Sequence, residues 1–176
     1  ILYNQAWTFL KTALETGLSD IKERKTEFKA VDIPHDWLIY QAGDLYENST
    51  GWYRKVLEKD NLGLEEGGRV ILRFDGVYMD STLYVNEQRV GDWKYGYSAF
   101  SFDITDALGH DNLLEICCRD DLNDQTMPYG KQTMKRGGMW YTPVSGIWQT
   151  VWLESVPNKH IQKLHIKNCG YGVTIS

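Results

Sequence analysis

The stretch VYMDSTLYVNEQRVGDW, residues 77–93, constrains the fold more than any other in this chain. Its side chains alternate: Val77, Met79, Leu83 and Val85 fall on one side of an extended backbone, and Tyr78, Asp80, Thr82 and Tyr84 on the other. Asn86, Glu87 and Gln88 form a tip, and RVGDW returns, which predicts a β-hairpin. The same period of two recurs in QAWTFL (5–10), TGWYRKVLE (50–58), RVILRFDGV (69–77), SAFSFDIT (98–105), LLEICCR (113–119) and GIWQTVWLE (146–154). Between them lie a charged run at 11–29 that predicts a loop or one short helix, and a short capped turn at TDALGHDN. In AVDIPHDWLI, Pro34 interrupts pairing and Trp37 is expected to anchor the segment. Many short antiparallel strands separated by turns predict an all-β chain, a β-sandwich of jelly-roll type over residues 1–156.

After Val156-Pro157-Asn158 the texture changes. HIQKLHIKNCGYGVTIS reads as the opening strands of a further sandwich over residues 157–176, and two strands cannot bury a face. The chain is therefore expected to be part of a longer protein.

Charge and composition exclude several functions. The net charge is −5, with Lys and Arg scattered, and phosphate binding needs a concentrated positive field, so no nucleic-acid partner is expected. No run approaches the ~18 apolar residues of a membrane span, so no membrane partner is expected either. Cys117 and Cys118 are adjacent on a predicted strand, point to opposite faces, and cannot easily pair. With Cys169 they suit small buried hydrophobes better than a disulfide framework or a zinc site. Reduced thiols point to a cytoplasmic location, with a bacterial periplasm as the alternative had a leader been removed.

No nucleophile elbow, phosphate-cradling glycine loop or HExxH spacing occurs, so no catalytic residue, cofactor or metal is expected. The densest carboxylates are Asp120, Asp121 and Asp124 in RDDLND. A solvated turn, a hard-cation site, and acceptors for paired sugar hydroxyls are all open readings of that cluster. His35 and Asp36 in PHDW resemble half a triad, but neighbours on an extended strand rarely share geometry, and side-chain bonds to nearby backbone are expected instead. Aromatic residues make up 13% of the chain, with seven Trp, and such rings suit polar ring-shaped ligands as well as cores.

Five segments, in order, resemble one family: VDIPHDW (31–37), ENSTGWYRK (47–55), LYVNEQRVGDWKYGYSAFSFDIT (83–105), DNLLEICCRDD (111–121) and SGIWQTVWLE (145–154). They look like the N-terminal sugar-binding domain of glycoside hydrolase family 2, the family of β-galactosidases, β-glucuronidases and β-mannosidases, and most like that of a β-galactosidase. The resemblance runs from Trp7 to Glu154. It implies a galactose-binding-domain-like jelly roll, followed in the family by an immunoglobulin-like sandwich and a TIM barrel. Retaining hydrolysis then belongs to two glutamates on the barrel, so this domain is implied to be non-catalytic. An Asn in the family's E-N-x-T-G stretch and an Asp after a later strand reach the sugar; these match Asn48, and Asp120 or Asp121.

On GIWQTVWLE, Ile147, Val151 and Leu153 share one face and Trp148 and Trp152 the other, and a strand apolar on both sides is expected to be covered on both. Trp140 and Tyr141, in the loop before it, are freer to approach a ligand or the barrel, with the basic run KQTMKRGG (131–138) leading to them. The implied partners are a carbohydrate (a β-galactoside or related β-glycoside), the remaining domains of the parent enzyme, and a second copy in a homo-oligomer. An independent carbohydrate-binding module and a purely structural docking domain are the alternatives.

Overall fold

The computed structural model describes residues 1–40, 48–58, 62–135, 137–168 and 170–175. The period-two segments become strands β1 (Trp7–Ala13), β3 (Ser49–Glu58), β4 (Arg69–Phe74), β5 (Asp80–Val85), β6 (Gln88–Lys94), β7 (Phe100–Asp103), β8 (Asp111–Asp120) and β9 (Val151–Val156), and a short strand not expected from the sequence, β2 (Lys29–Val31), precedes β3. Two single helical turns, α1 (Leu18–Ile21) and α2 (Trp37–Tyr40), interrupt them. One sheet has six strands in the order β2-β1-β3-β8-β5-β6, and a second has three, β7-β4-β9. Every pairing is antiparallel. The two sheets close on each other as a β-sandwich. Phe9, Tyr53, Leu83, Leu114 and Ile116 of the larger sheet share one buried cluster with Leu72, Phe74, Phe100, Val151 and Leu153 of the smaller. Each such side chain contributes about 1.5–3 kcal/mol by leaving water.

The hairpin forms where the alternation places it. Asn86 and Glu87 both adopt positive φ, 52° and 66°, the pattern of a two-residue turn whose twist matches its strands. The tip is one residue shorter than the sequence suggests, because Gln88 already pairs with Val85. Burial alternates cleanly from Asp80 onwards, but Val77, Tyr78 and Met79 are all buried in succession. Tyr78 was expected on the outward face. It turns inward because it packs over Gly96, where a Cβ would lie 2.3 Å from its ring.

The outer face of the large sheet is also covered. The chain between β1 and β2 folds back over it, and Leu18, Ile21 and Phe28 pack with Leu10, Trp52, Tyr84 and Cys117. Beneath this cover Arg54 and Glu115, directly opposite each other on β3 and β8, form an ion pair at 2.7 Å. Arg54 also donates to the Ile21 carbonyl at 3.2 Å and lies 4.1 Å from the centre of the Phe28 ring.

GIWQTVWLE departs from its expected form. Only Val151 onwards is strand. Residues 145–150 cross the end of the sandwich, where their backbone partners are His35, Trp37, Asp75, Gly76 and Tyr78, none in a regular strand. Gly146 is required there: its φ is +108°, and a Cβ would meet the Tyr53 hydroxyl at 2.3 Å. Ile147, Val151 and Leu153 are buried as expected. Trp148 is half-buried, donating to the Gly96 carbonyl at 2.9 Å. Trp152 is 36% exposed, so the outer face of β9 is not covered within the described residues. Beyond Pro157, β10 (Ile166–Asn168) and β11 (Val173–Ile175) pair as a separate two-stranded sheet, and the residues of both strands are exposed.

Candidate functional site

The register of β3 and β8 assembles the site. Ser49 stands opposite Asp120 at the end of the ladder, so Asn48 and Asp121 leave the pair of strands side by side. The Asn48 amide donates to Asp121 Oδ1 at 2.7 Å, and Asn48 Oδ1 accepts from the Leu122 N–H at 2.9 Å. The Asn123 N–H adds a second donor to Asp121 Oδ1 at 3.0 Å. Asp121 Oδ2 accepts no hydrogen bond among the described residues. Both side chains are half-buried. An amide and a carboxylate fixed side by side present donors and acceptors together, the requirement for gripping adjacent hydroxyls.

Asp120 points the other way. It follows the parity of Leu114, Ile116 and Cys118 into the space between the sheets, and is 2% exposed. Its Oδ2 accepts from the Ser145 hydroxyl. Its Oδ1 is buried without a hydrogen-bond partner among the described residues. Burial pushes its pKa up to about 7, opposed by the Ser145 hydrogen bond and reinforced by the carboxylates of Asp36 and Asp121. The sequence left Asp120 and Asp121 as equal candidates; the structure separates them onto opposite sides of one strand end.

A loop from Tyr129 to Ser145 borders this place. Its two ends are tied together: the Gln132 amide accepts from the Val144 N–H and donates to the Tyr97 hydroxyl. Ser145 is tied again by its own N–H to Asp36 Oδ1 at 3.3 Å. The tip carries Met139, Trp140 and Tyr141, which are 60%, 40% and 59% exposed. Trp140 lies on the loop that Asp120 touches but makes no hydrogen bond or ring contact with Asn48, Asp120 or Asp121. Ser145 and Tyr97 lie near Asp120, with Gln132 bonded in turn to Tyr97, and none of the three was singled out by sequence. Ser145 sits 25 residues from Asp120, a separation no local pattern bridges.

The other candidates resolve into structure. His35 directs its ring to the Tyr53 hydroxyl at 2.8 Å, and burial pushes the imidazole down to about 4. Asp36 accepts instead from the Leu38 N–H at 2.9 Å, so the pair does not act as half a triad. Asp124 caps its own turn by accepting from Thr126 N–H and hydroxyl, and with Lys94 nearby its pKa falls to about 2. No group of three or more metal-binding side chains occurs among the described residues, and no helix is long and apolar enough to cross a membrane. Cys117 and Cys118 face opposite ways and are free thiols; Cys169 lies outside the described residues. A groove of about 400 Å³ runs along β2, lined by Phe9, Val31, Ile33, Pro34 and His35. None of Asn48, Asp120, Asp121 or Trp140 lines it, and its apolar walls offer little to a sugar.

Residues 20–157 match the family model described as glycosyl hydrolases family 2, sugar binding domain. A beta-galactosidase of Bacteroides ovatus is 28% identical over 174 residues, covering 90% of this chain and 18% of that protein. A beta-glucuronidase of Bacteroides fragilis is 30% identical over 129 residues, covering 71% of this chain and 17% of that protein. Among solved structures, the beta-glucuronidase of Bacteroides uniformis superposes with a TM-score of 0.68 at 31% identity, over 90% of this chain and 18% of that one. The chain thus spans about a fifth of the length of the relatives it matches.

Proposed function

From the premise that the chain belongs to the sugar-binding domain family of glycosyl hydrolases family 2, we propose that it forms one wall of the substrate subsite of a retaining β-glycosidase. Hydrolysis of the O-glycosyl bond falls to glutamates elsewhere in the parent protein. The observation that carries this reading is the paired ledge of Asn48 and Asp121, held at 2.7 Å by the β3–β8 register. A sugar hydroxyl replaces their mutual hydrogen bond at little cost and gains the open Oδ2 of Asp121. Asp120, buried behind the ledge, does not touch the ligand. Trp140 and Tyr141 supply the flat apolar faces on which a pyranose ring stacks. A carboxylate on the ledge disfavours the carboxylate of a uronic acid at this point, so a neutral hexose such as a β-galactoside is the preferred occupant. The exposed outer face of β9 and the exposed strands β10 and β11 are surfaces for the rest of the parent protein to cover.

A two-dimensional NMR titration with galactose, lactose, glucuronic acid and mannose tests the reading. Small-molecule sites enclose most of their ligand, and a single wall does not. Galactose and lactose are expected to shift signals of Asn48, residues 121–123 and residues 138–141, without saturating below about 1 mM. Saturation in the micromolar range makes the chain an independent carbohydrate-binding module instead. Shifts confined to any other face overturn the ledge.

A further inference from the structure

We propose that Asp120 is a positioning residue: through Ser145 it latches the root of the 129–145 loop, and with it the Trp140–Tyr141 face, and this latch loosens when the buried carboxyl ionises. The geometry comes first. Two carboxyl groups bracket Ser145, Asp36 accepting from its N–H and Asp120 from its hydroxyl. Gln132 closes the other side of the root by bridging Val144 and Tyr97. Among the described residues the tip bonds only within the loop, Tyr141 with Lys131 and Thr133 and Trp140 with Gly137, and its rings stand in solvent. The loop's bonds to the sandwich described here are therefore made at its base.

That base contains a buried carboxyl, Asp120, whose charge can change near neutrality. A neutral carboxyl can sit in this space with a single hydrogen bond, whereas a carboxylate seeks several donors and here finds one. The titratable groups that face Asp120 are Asp36 from the segment before α2, Asp121 beyond β8, Cys118 on β8, and Tyr78 and Tyr97 flanking the hairpin. None of them is a cation. Ionised Asp120 thus has two carboxylate neighbours and no compensating charge among the described residues. Withdrawing Ser145 admits water and relieves it. The direction follows from linkage: the latched form holds its proton to about pH 7, the open form to the ordinary range near 4, so opening becomes easier as pH rises between those values and levels off above.

The significance for ligand binding rests on the reading of Asn48, Asp121 and Trp140 as a sugar wall; the latch itself does not. Amide hydrogen exchange of residues 131–144, corrected for intrinsic pH dependence, is to be measured from pH 5 to 8.5 in the wild-type chain and in Asp120→Asn and Ser145→Ala. The wild type is expected to open about fiftyfold more readily at pH 7 than at pH 5, approaching a hundredfold on the plateau above. Asp120→Asn, an uncharged mimic of the acid, should stay closed and flat with pH. Ser145→Ala should be open at every pH, with the sandwich amides of β3 and β8 still protected. An equal pH response in Asp120→Asn, or a flat wild type, overturns the latch. Galactose added to the same samples separates the two claims: a pH-dependent loop with no galactose shifts at all supports the latch and removes the sugar wall.

Discussion

The buried ion pair of Arg54 and Glu115 gives the most demanding test of how the larger sheet is built. Their side chains are 10% and 2% exposed, and the contact is 2.7 Å. Replacing Glu115 by Ala leaves a guanidinium enclosed by Phe28, Ile21 and the strand, with the Ile21 carbonyl as its remaining acceptor. Stranding one partner of a buried pair costs about 3–5 kcal/mol. A domain of this size loses roughly 2–4 °C of Tm per kcal/mol, so a drop of about 10 °C or more is expected. Replacing both partners, Arg54→Met with Glu115→Leu, removes the charge from both sides and should recover most of that loss. Urea denaturation of the wild type, both single variants and the double variant gives the coupling energy directly. A loss below about 1 kcal/mol for Glu115→Ala would refute the reasoning, because it is the value of a solvated surface pair.

Other consequences can be checked separately. Gly51 lies under Trp37 and Phe9, whose ring atoms would be 2.4 and 2.8 Å from an added Cβ, so Gly51→Ala should cost about 1–3 kcal/mol in urea; a neutral result would mean the rings have room. Burial pushes the Cys117 thiol up to about 12 and that of Cys118 well above the ordinary thiol range, so in a Cys169→Ser background a disulfide reagent at pH 8 should label neither until the chain unfolds. Asp120 binds its proton more tightly folded than unfolded, so its contribution to stability is complete at low pH and fades between about pH 4 and 7. The wild type should therefore lose about 3 kcal/mol more than Asp120→Asn between pH 5 and 8. His35, held neutral by burial, acts in the opposite sense as pH falls below 6.5, and comparison with the variant cancels it.

Much of the sandwich is legible because burial imposes a period of two. The hairpin and the strands ending in LLEICCR lie where alternation puts them, and parity alone would have separated Asp120, in phase with Cys118, from Asp121. What alternation does not show is where hydrogen bonds go. GIWQTVWLE keeps an apolar rhythm, yet its first half pairs with irregular segments and is not strand. The charged run at 11–29 conceals Leu18, Ile21 and Phe28, whose spacing is neither strand nor long helix but which cover Trp52. At the site, Asn48 and its Asp partner were visible through family resemblance. The contacts of Asp120 with Ser145, and of Gln132 with Tyr97, depend on loops meeting in space and leave no trace in local pattern.

The most direct measurement is steady-state kinetics of the whole enzyme that carries this domain, wild type against Asn48→Ala and Asp121→Ala, on p-nitrophenyl β-galactoside and β-glucuronide. Each side chain is expected to contribute a hydrogen bond of about 1.5–3 kcal/mol to the bound glycoside, a fall in kcat/KM of about 10- to 200-fold with the fold intact. The loss should be greater on the galactoside. Wild-type kcat/KM in both variants would show that this ledge does not meet the substrate.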